Sequence, residues 1–126
     1  MSKTVLLVED NDFIRNMYQL KLSKAGINCV EAVDGAMCLA KINEAKPDLV
    51  LLDLMMPNVS GLEVLEQLKA GKVTPELPVL ILTNIMDQPT IDKCKVLGAC
   101  DYIVKTDLTP KEVVEKIKQY IKALFR

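Results

Sequence analysis

Five polar side chains that could do chemistry each follow a short apolar run of the sequence. They are Glu9, Asp10, Asp53, Thr83 and Lys105. If these runs form neighbouring strands, three carboxylates come together, and they repel one another unless a cation lies among them. A hard divalent ion that combines a few carboxylates with waters and a phosphate is typical of Mg²⁺. The set therefore indicates a candidate Mg²⁺ site beside a lysine and a hydroxyl.

That lysine and hydroxyl would suit an anion bound to the ion. Phosphoryl transfer depends on in-line positioning and neutralised charge more than on acid–base chemistry. Asp53, whose apolar run is expected near the middle of the sheet, is then the candidate carboxylate nucleophile. The plainer interpretation is that polar residues mark the ends of strands, which explains any one of these residues better than it explains the set.

The elements that must position these side chains alternate along the chain. Five apolar runs predict strands at residues 4–8, 28–32, 49–52, 79–82 and 102–104, each followed by a stretch with helical spacing. Alternating strands and helices imply βαβ units with right-handed crossovers. We therefore expect one doubly wound α/β domain over residues 1–126, with five helices on the two faces of a parallel sheet. Ligands bind such sheets beyond the carboxyl ends of the strands, where the polar side chains stand.

Two of the predicted helices carry clear end signals. The last begins with a capping box at residues 109–112, with proline in its first position. The first begins after residue 11 or 12 and stops at Gly26, a residue suited to the position after a helix. Within this first helix we expect Phe13, Met17 and Leu20 to face inward.

Composition excludes several classes of function. The 16 basic and 17 acidic side chains leave a net charge of -1, so no global basic field favours nucleic acid or an anionic membrane. The chain has no histidine, which removes histidine metal sites and Ser/Cys–His nucleophile pairs. No apolar run could span a bilayer, and the start lacks the layout of a signal peptide. We expect a cytoplasmic domain.

Four segments, taken together and in order, carry a resemblance to a known family. They are residues 8–11 (VEDN), 53–61 (DLMMPNVSG), 82–83 (LT) and 102–105 (YIVK). In this order and at strand ends, they resemble the response-regulator receiver domain of two-component signalling, including the chemotaxis regulators. The resemblance covers essentially the whole chain and implies a flavodoxin-like sheet of strand order 2-1-3-4-5.

The resemblance also implies a role for each acidic residue. Asp53 would be the phosphoacceptor, attacking a phosphohistidine on a sensor histidine kinase or a histidine phosphotransfer protein. Asp10 and Asp53 would ligate Mg²⁺ with the backbone carbonyl of Met55, and Glu9 would hold the ion through water. The domain would catalyse its own phosphorylation and dephosphorylation without being an enzyme for other substrates.

Three further residues are implied to respond to the phosphoryl group. Lys105 would pair with one phosphoryl oxygen, and Thr83 would hydrogen-bond another and move inward. Tyr102 matches the switch aromatic of the family. A protein partner would then read the face formed by the fourth helix, the fifth strand and the fifth helix. Because no linker follows residue 126, we expect a stand-alone receiver that acts by protein contact, without binding nucleic acid directly; the alternative is a domain cut from a longer protein.

The sequence departs from the family pattern at a few positions. Thr106 stands where many receivers have proline after the lysine, and Asn84 replaces a small residue after the hydroxyl. Met55 and Ile85 occupy the two positions that tune the lifetime of the phosphoryl group. Both are apolar and cannot orient an attacking water, so we predict slow self-dephosphorylation.

Three alternatives compete with this interpretation. A phosphatase of the haloacid dehalogenase type needs a second carboxylate two residues after the nucleophile, where this chain has Met55. A flavodoxin-like cofactor binder needs a phosphate loop after the first strand, where residues 9–12, three of them acidic, would repel a phosphate. A pseudo-receiver, which would bind partners without turning over phosphate, remains an alternative.

Overall fold

The computed structural model describes residues 3–56, 59–73 and 76–124 of the chain, without the side chains of residues 123 and 124. Five strands alternate with five helices. They are β1 (Thr4–Val8), α1 (Asp12–Lys24), β2 (Asn28–Ala32), α2 (Gly35–Ala45), β3 (Leu49–Leu52), α3 (Gly61–Ala70), β4 (Val79–Thr83), α4 (Gln88–Val96), β5 (Asp101–Val104) and α5 (Pro110–Leu124). The elements agree with the prediction, except that β4 runs on to Thr83 and β5 starts at Asp101.

The five strands form one parallel sheet in the order β2-β1-β3-β4-β5. Both the parallel sheet and its order are therefore confirmed. The three central strands are buried along nearly their whole length, as continuous apolar runs require when helices cover both faces. In register, Val8 lies opposite Leu52, and Leu52 lies opposite Ile81. The carboxyl ends of β1, β3 and β4 thus meet at one edge.

Two apolar layers hold the sheet between the helices. One side packs β-strand residues against α1 and α5, through residues such as Leu22 and Ile117. The other side packs the sheet against α2, α3 and α4, through residues such as Cys38, Leu65 and Cys94. This is the doubly wound arrangement. None of the helices in the described part of the chain has the length and hydropathy of a membrane-spanning segment.

The helices begin and end as their local sequence dictates. The Asn11 side chain caps α1 by accepting from the N–H of Ile14 at 3.0 Å. Thr109 and Glu112 form the expected capping box at the start of α5, with bonds of 2.9 and 3.2 Å. Gly26 follows α1 with φ +79°, a conformation that costs glycine little and other residues much.

One expectation about α1 is wrong. Phe13 is 79% exposed and Leu20 is 62% exposed, while Met17 is partly buried against the core. The buried stripe contains Tyr18 and Leu22 instead. Successive helix residues are about 100° apart around the axis. A buried face predicted one residue too early along the helix therefore includes residues at its two ends that face solvent.

Candidate functional site

Four strands bring polar side chains to the same edge of the sheet. Glu9 and Asp53 directly follow β1 and β3, and their N–H groups continue the ladders with bonds to neighbouring strands, both of 3.1 Å. Thr83 is the last residue of β4, and Lys105 directly follows β5. The backbone of Lys105 is tied to that of Thr83 by an N–H···O bond of 2.7 Å. Short parallel strands therefore fix the starting point of each side chain.

Three carboxylates form a cluster at this edge. Glu9, Asp10 and Asp53 each offer an oxygen, and these oxygens lie within 4.8 Å of one another. Glu9 and Asp53 are buried, whereas Asp10 is exposed. Hard oxygen donors with one side open to solvent match the preference of Mg²⁺, which binds few carboxylates and keeps several waters. The donor set therefore fits this ion.

The ammonium of Lys105 contacts two of these carboxylates. Its Nζ donates to Glu9 Oε1 at 2.9 Å and to Asp53 Oδ2 at 3.2 Å. Burial raises the pKa of the Glu9 carboxyl, an effect that Lys105 opposes and the charge of Asp53 reinforces. Burial alone would lower the pKa of Lys105, but its two acidic partners outweigh burial and raise it. Lys105 is thus a charged counter-ion for the cluster.

Asp53 is oriented from both of its oxygens. Its Oδ1 accepts from the N–H of Met55 at 3.1 Å, while Oδ2 accepts from Lys105. The Met55 side chain is exposed beside it. Residues 57 and 58 of the motif that follows Asp53 lie outside the described part of the chain. A carboxylate held in this way presents a defined face to an incoming group.

Two glycines let the neighbouring helices approach the loop that carries Asp53. A Cβ on Gly61 would lie 2.4 Å from the carbonyl oxygen of Asp53 and 2.7 Å from Cα of Leu54. A Cβ on Gly35, in the first turn of α2, would lie 2.3 Å from the carbonyl oxygen of Val59. Neither position has room for a side chain, so α2 packs closely on Val59 and α3 packs closely on the backbone of Asp53 and Leu54.

The other side of the site is tied by hydrogen bonds around Ile85. The N–H of Ile85 donates to Thr83 Oγ1 at 3.4 Å, and its carbonyl accepts from the Tyr102 hydroxyl at 2.8 Å. Thr83 is fully buried and Tyr102 is half-buried. Burial above all raises the pKa of Tyr102 to about 12, so the phenol is a neutral donor. One side chain from β5 thus reaches the backbone that follows β4.

Arg15 is a residue of this region that the sequence analysis did not identify. Its guanidinium donates to the backbone carbonyl of Glu9 at 3.0 Å and to that of Asp10 at 3.5 Å. It also pairs with the carboxylate of Asp12. An arginine near the start of an exposed-looking helix gives no sequence signal for this contact, because a solvated side chain is the usual outcome.

The geometry agrees with most of the predicted site. Glu9, Asp10, Asp53 and Lys105 lie together, and Thr83 ends the strand adjacent to that of Asp53. The roles inferred from the family resemblance, including a metal bond from the carbonyl of Met55, remain predictions.

Comparison with known proteins gives a consistent answer. The family model described as "Response regulator receiver domain" matches residues 5–118. The phosphate regulon transcriptional regulatory protein PhoB of Pseudomonas aeruginosa is 36% identical over 122 residues, which cover 97% of this chain and 53% of that protein. The chain thus spans about half the length of the curated relatives it matches.

Solved structures share the fold at lower sequence identity. A CheY-like receiver domain protein from Methanospirillum hungatei superimposes with a TM-score of 0.88 at 28% identity, covering 98% of this chain and 96% of that one. The chemotaxis response regulator CheY4 of Vibrio cholerae gives 0.85 at 28% identity, covering 95% and 99%. On the family match, the PhoB similarity and this shared architecture, the chain belongs to the response regulator receiver domain family.

Proposed function

We propose that Asp53 accepts a phosphoryl group from a phosphohistidine on a sensor histidine kinase or a histidine phosphotransfer protein. The observation that carries this proposal is the buried Asp53 carboxylate, placed within 4.8 Å of two further carboxylates and contacted by Lys105. A nucleophile, a place for a divalent cation and a cationic side chain then occupy one edge of the sheet. Phosphoryl transfer requires little more than these components.

The transfer is a direct displacement at phosphorus. An oxygen of Asp53 attacks, the P–N bond to the donor imidazole breaks, and the bonding electron pair leaves with the imidazole nitrogen. The product is an acyl phosphate on Asp53. When bound at Glu9, Asp10 and Asp53, Mg²⁺ would neutralise charge on the phosphoryl oxygens. Glu9, buried and hydrogen-bonded by Lys105, keeps its carboxylate directed toward that position.

Lys105 and Thr83 would bind the transferred group. Lys105 already contacts Asp53 Oδ2 at 3.2 Å, so a phosphoryl group formed on that carboxylate comes within reach of the ammonium. Thr83 lies at the end of the adjacent strand, with a hydroxyl that here accepts from the N–H of Ile85. Turning toward a phosphoryl oxygen would exchange that contact for a charge-assisted one, which is stronger.

The signal would leave through the face formed by α4, β5 and α5. Movement at Thr83 changes the position of Ile85, whose carbonyl holds the Tyr102 hydroxyl at 2.8 Å. A shift in that bond couples the phosphoryl site to the surface through an element with two arrangements. The partner that responds to this signal is a protein surface, which belongs either to another chain or to a further domain of the same chain.

The presence of the whole residue set favours this function over a pseudo-receiver. A module that only binds partners has no need for a buried carboxylate cluster, because like charges so close together are costly to keep without a function. The charge balance of the chain gives the domain itself no basis for holding nucleic acid directly.

Intact mass spectrometry tests the proposal. Wild-type protein is incubated with acetyl phosphate and Mg²⁺, or with a phosphorylated kinase, beside Asp53→Asn and a sample containing EDTA. We expect the mass of one phosphoryl group on the wild type with Mg²⁺, and on neither of the others. An equal gain in Asp53→Asn would move the acceptor elsewhere, and no gain in any sample would support the pseudo-receiver.

A further inference from the structure

The guanidinium of Arg15 lies behind the loop that joins β1 to α1. Only 12% of its side chain is exposed. One nitrogen donates to the carbonyl oxygens of Glu9 (3.0 Å) and Asp10 (3.5 Å), and another pairs with Asp12. Its Nε lies 4.0 Å from a carboxylate oxygen of Glu31 on β2. The side chain therefore joins the loop, the first turn of α1 and a neighbouring strand.

The two carboxylates of this loop are held in different ways. The Glu9 carboxylate accepts from the N–H of Asn11 at 3.1 Å and from Lys105 at 2.9 Å. Within the described part of the chain, no hydrogen bond to the exposed Asp10 carboxylate is seen. The direction of the Asp10 side chain therefore depends on the position of its backbone. The side chain of Arg15 contacts that backbone by donating to the carbonyl oxygen of Asp10.

The charge of Arg15 and its hydrogen bonds predict opposite effects of its removal on the affinity for a divalent cation. A positive charge close to an acidic cluster weakens attraction for a divalent cation, so removing it should tighten binding if charge alone matters. If instead the arginine holds the carbonyls of Glu9 and Asp10 in place, removing it should loosen the loop and weaken binding. Groups that orient metal ligands from behind commonly have this second effect.

We propose that Arg15 is a positioning residue for the divalent cation, acting through the backbone of Glu9 and Asp10 without touching the ion. The proposal rests on the function proposed above and deepens it. The fork of the guanidinium is essential to the role, because one group must reach two carbonyls and a carboxylate at once. A lysine ammonium keeps the charge but cannot span these acceptors in the same geometry.

Calorimetric titration with Mg²⁺, without kinase or phosphoryl donor, tests the proposal. We expect Arg15→Met to raise the Mg²⁺ dissociation constant about tenfold, the lower end of the effect of removing a group behind a metal ligand. Arg15→Lys should raise it by less. Lys21→Met is the matched control, since it removes a positive charge from an exposed position on the same helix and should leave binding unchanged or slightly tighter.

The outcomes separate this inference from the proposed function. Wild-type protein that binds no Mg²⁺ would overturn both. If the wild type binds Mg²⁺ and is phosphorylated on Asp53, while Arg15→Met binds equally or more tightly, the positioning role alone is overturned. Circular dichroism checks that each variant is folded. If Arg15→Met is not folded, Arg15→Lys decides, with unchanged affinity refuting the role and weaker binding supporting it.

Discussion

Replacing Lys105 by methionine tests the electrostatic balance of the site most directly. The change removes the ammonium that contacts Glu9 and Asp53 and keeps most of the volume of the side chain. The side chains of Lys105, Glu9 and Asp53 are 18%, 4% and 7% exposed, so water can do little to replace the lost partner. The variant leaves three carboxylates together with no ammonium between two of them.

The expected loss of stability follows from this burial. Removing one partner of a buried ion pair costs roughly 3–5 kcal/mol, because the other charge is left uncompensated. We take about 3 kcal/mol, since the cluster opens to solvent at Asp10. An unfolding entropy of about 2.1 cal/mol/K per residue over 126 residues converts this into a fall in Tm of about 11 °C.

Divalent cation should restore much of that loss. At a Mg²⁺ concentration of about 100 times Kd, binding to the folded state contributes about 2.7 kcal/mol. The gain should be larger in Lys105→Met than in the wild type, because in the variant no ammonium has to give up its contacts with the carboxylates. Mg²⁺ should therefore bring the two melting temperatures closer together.

Thermal unfolding followed by far-ultraviolet circular dichroism, with EDTA or with Mg²⁺, measures both effects. Lys116→Met is the matched control, because Lys116 pairs with Asp101 at 2.7 Å but its side chain is 39% exposed. Exposed ion pairs contribute about 0–1 kcal/mol, so the Tm of this variant should fall by at most about 4 °C. Mg²⁺ should raise its Tm by no more than it raises that of the wild type. A Lys105→Met protein that melts like the control in EDTA would refute the reasoning.

Three further predictions concern the same edge of the sheet. The raised pKa of Glu9 contributes stability that is present below its ordinary value of 4.5 and is lost as pH rises through the folded-state pKa. Glu9→Gln should therefore flatten the fall of the free energy of urea unfolding between pH 4.5 and the folded-state pKa, and should weaken Mg²⁺ binding. An unchanged slope in that range would contradict this. Gly61→Ala should destabilise the protein by about 1–3 kcal/mol and slow phosphorylation, because the new Cβ would lie 2.4 Å from the Asp53 carbonyl oxygen. Gly71→Ala is the control, because its Cβ would meet no atom closer than 3.4 Å. It should be nearly neutral in the same assays. Phosphorylated protein with Mg²⁺ should keep its phosphoryl group far beyond seconds, and Met55→Asn should shorten that lifetime in a mass-spectrometric time course; loss within seconds from the wild type would contradict the prediction.

The fold could be predicted because each level of the sequence agrees with the next. Continuous apolar runs mark buried strands, and cap residues such as Asn11 and Thr109 stand where the helices begin. Parallel strands then force their carboxyl ends to one edge, which is why Glu9, Asp53 and Lys105 could be grouped from spacing alone. The strand order itself came from the family resemblance and was confirmed by the structure.

What could not be predicted depends on side-chain direction. In α1, apolar residues occur on more than one stripe, so Phe13 and Leu20 were wrongly assigned to the core in place of Tyr18 and Leu22. Arg15 was missed for a related reason. Its contacts are with backbone carbonyls, and a backbone acceptor leaves no trace in the pattern of charged residues.

The close packing at Gly35 and Gly61 makes the two sides of the site differ. On one flank of Asp53, Gly35 and Gly61 leave no slack, and α3 buries four residues beneath the site. On the other flank, α4 has a single fully buried residue, Cys94, and the segment before it is restrained by the Tyr102 hydroxyl. Packing is therefore tighter on the α3 side of the site than on the α4 side, and we expect a displacement at Asp53 to move α4 more than α3.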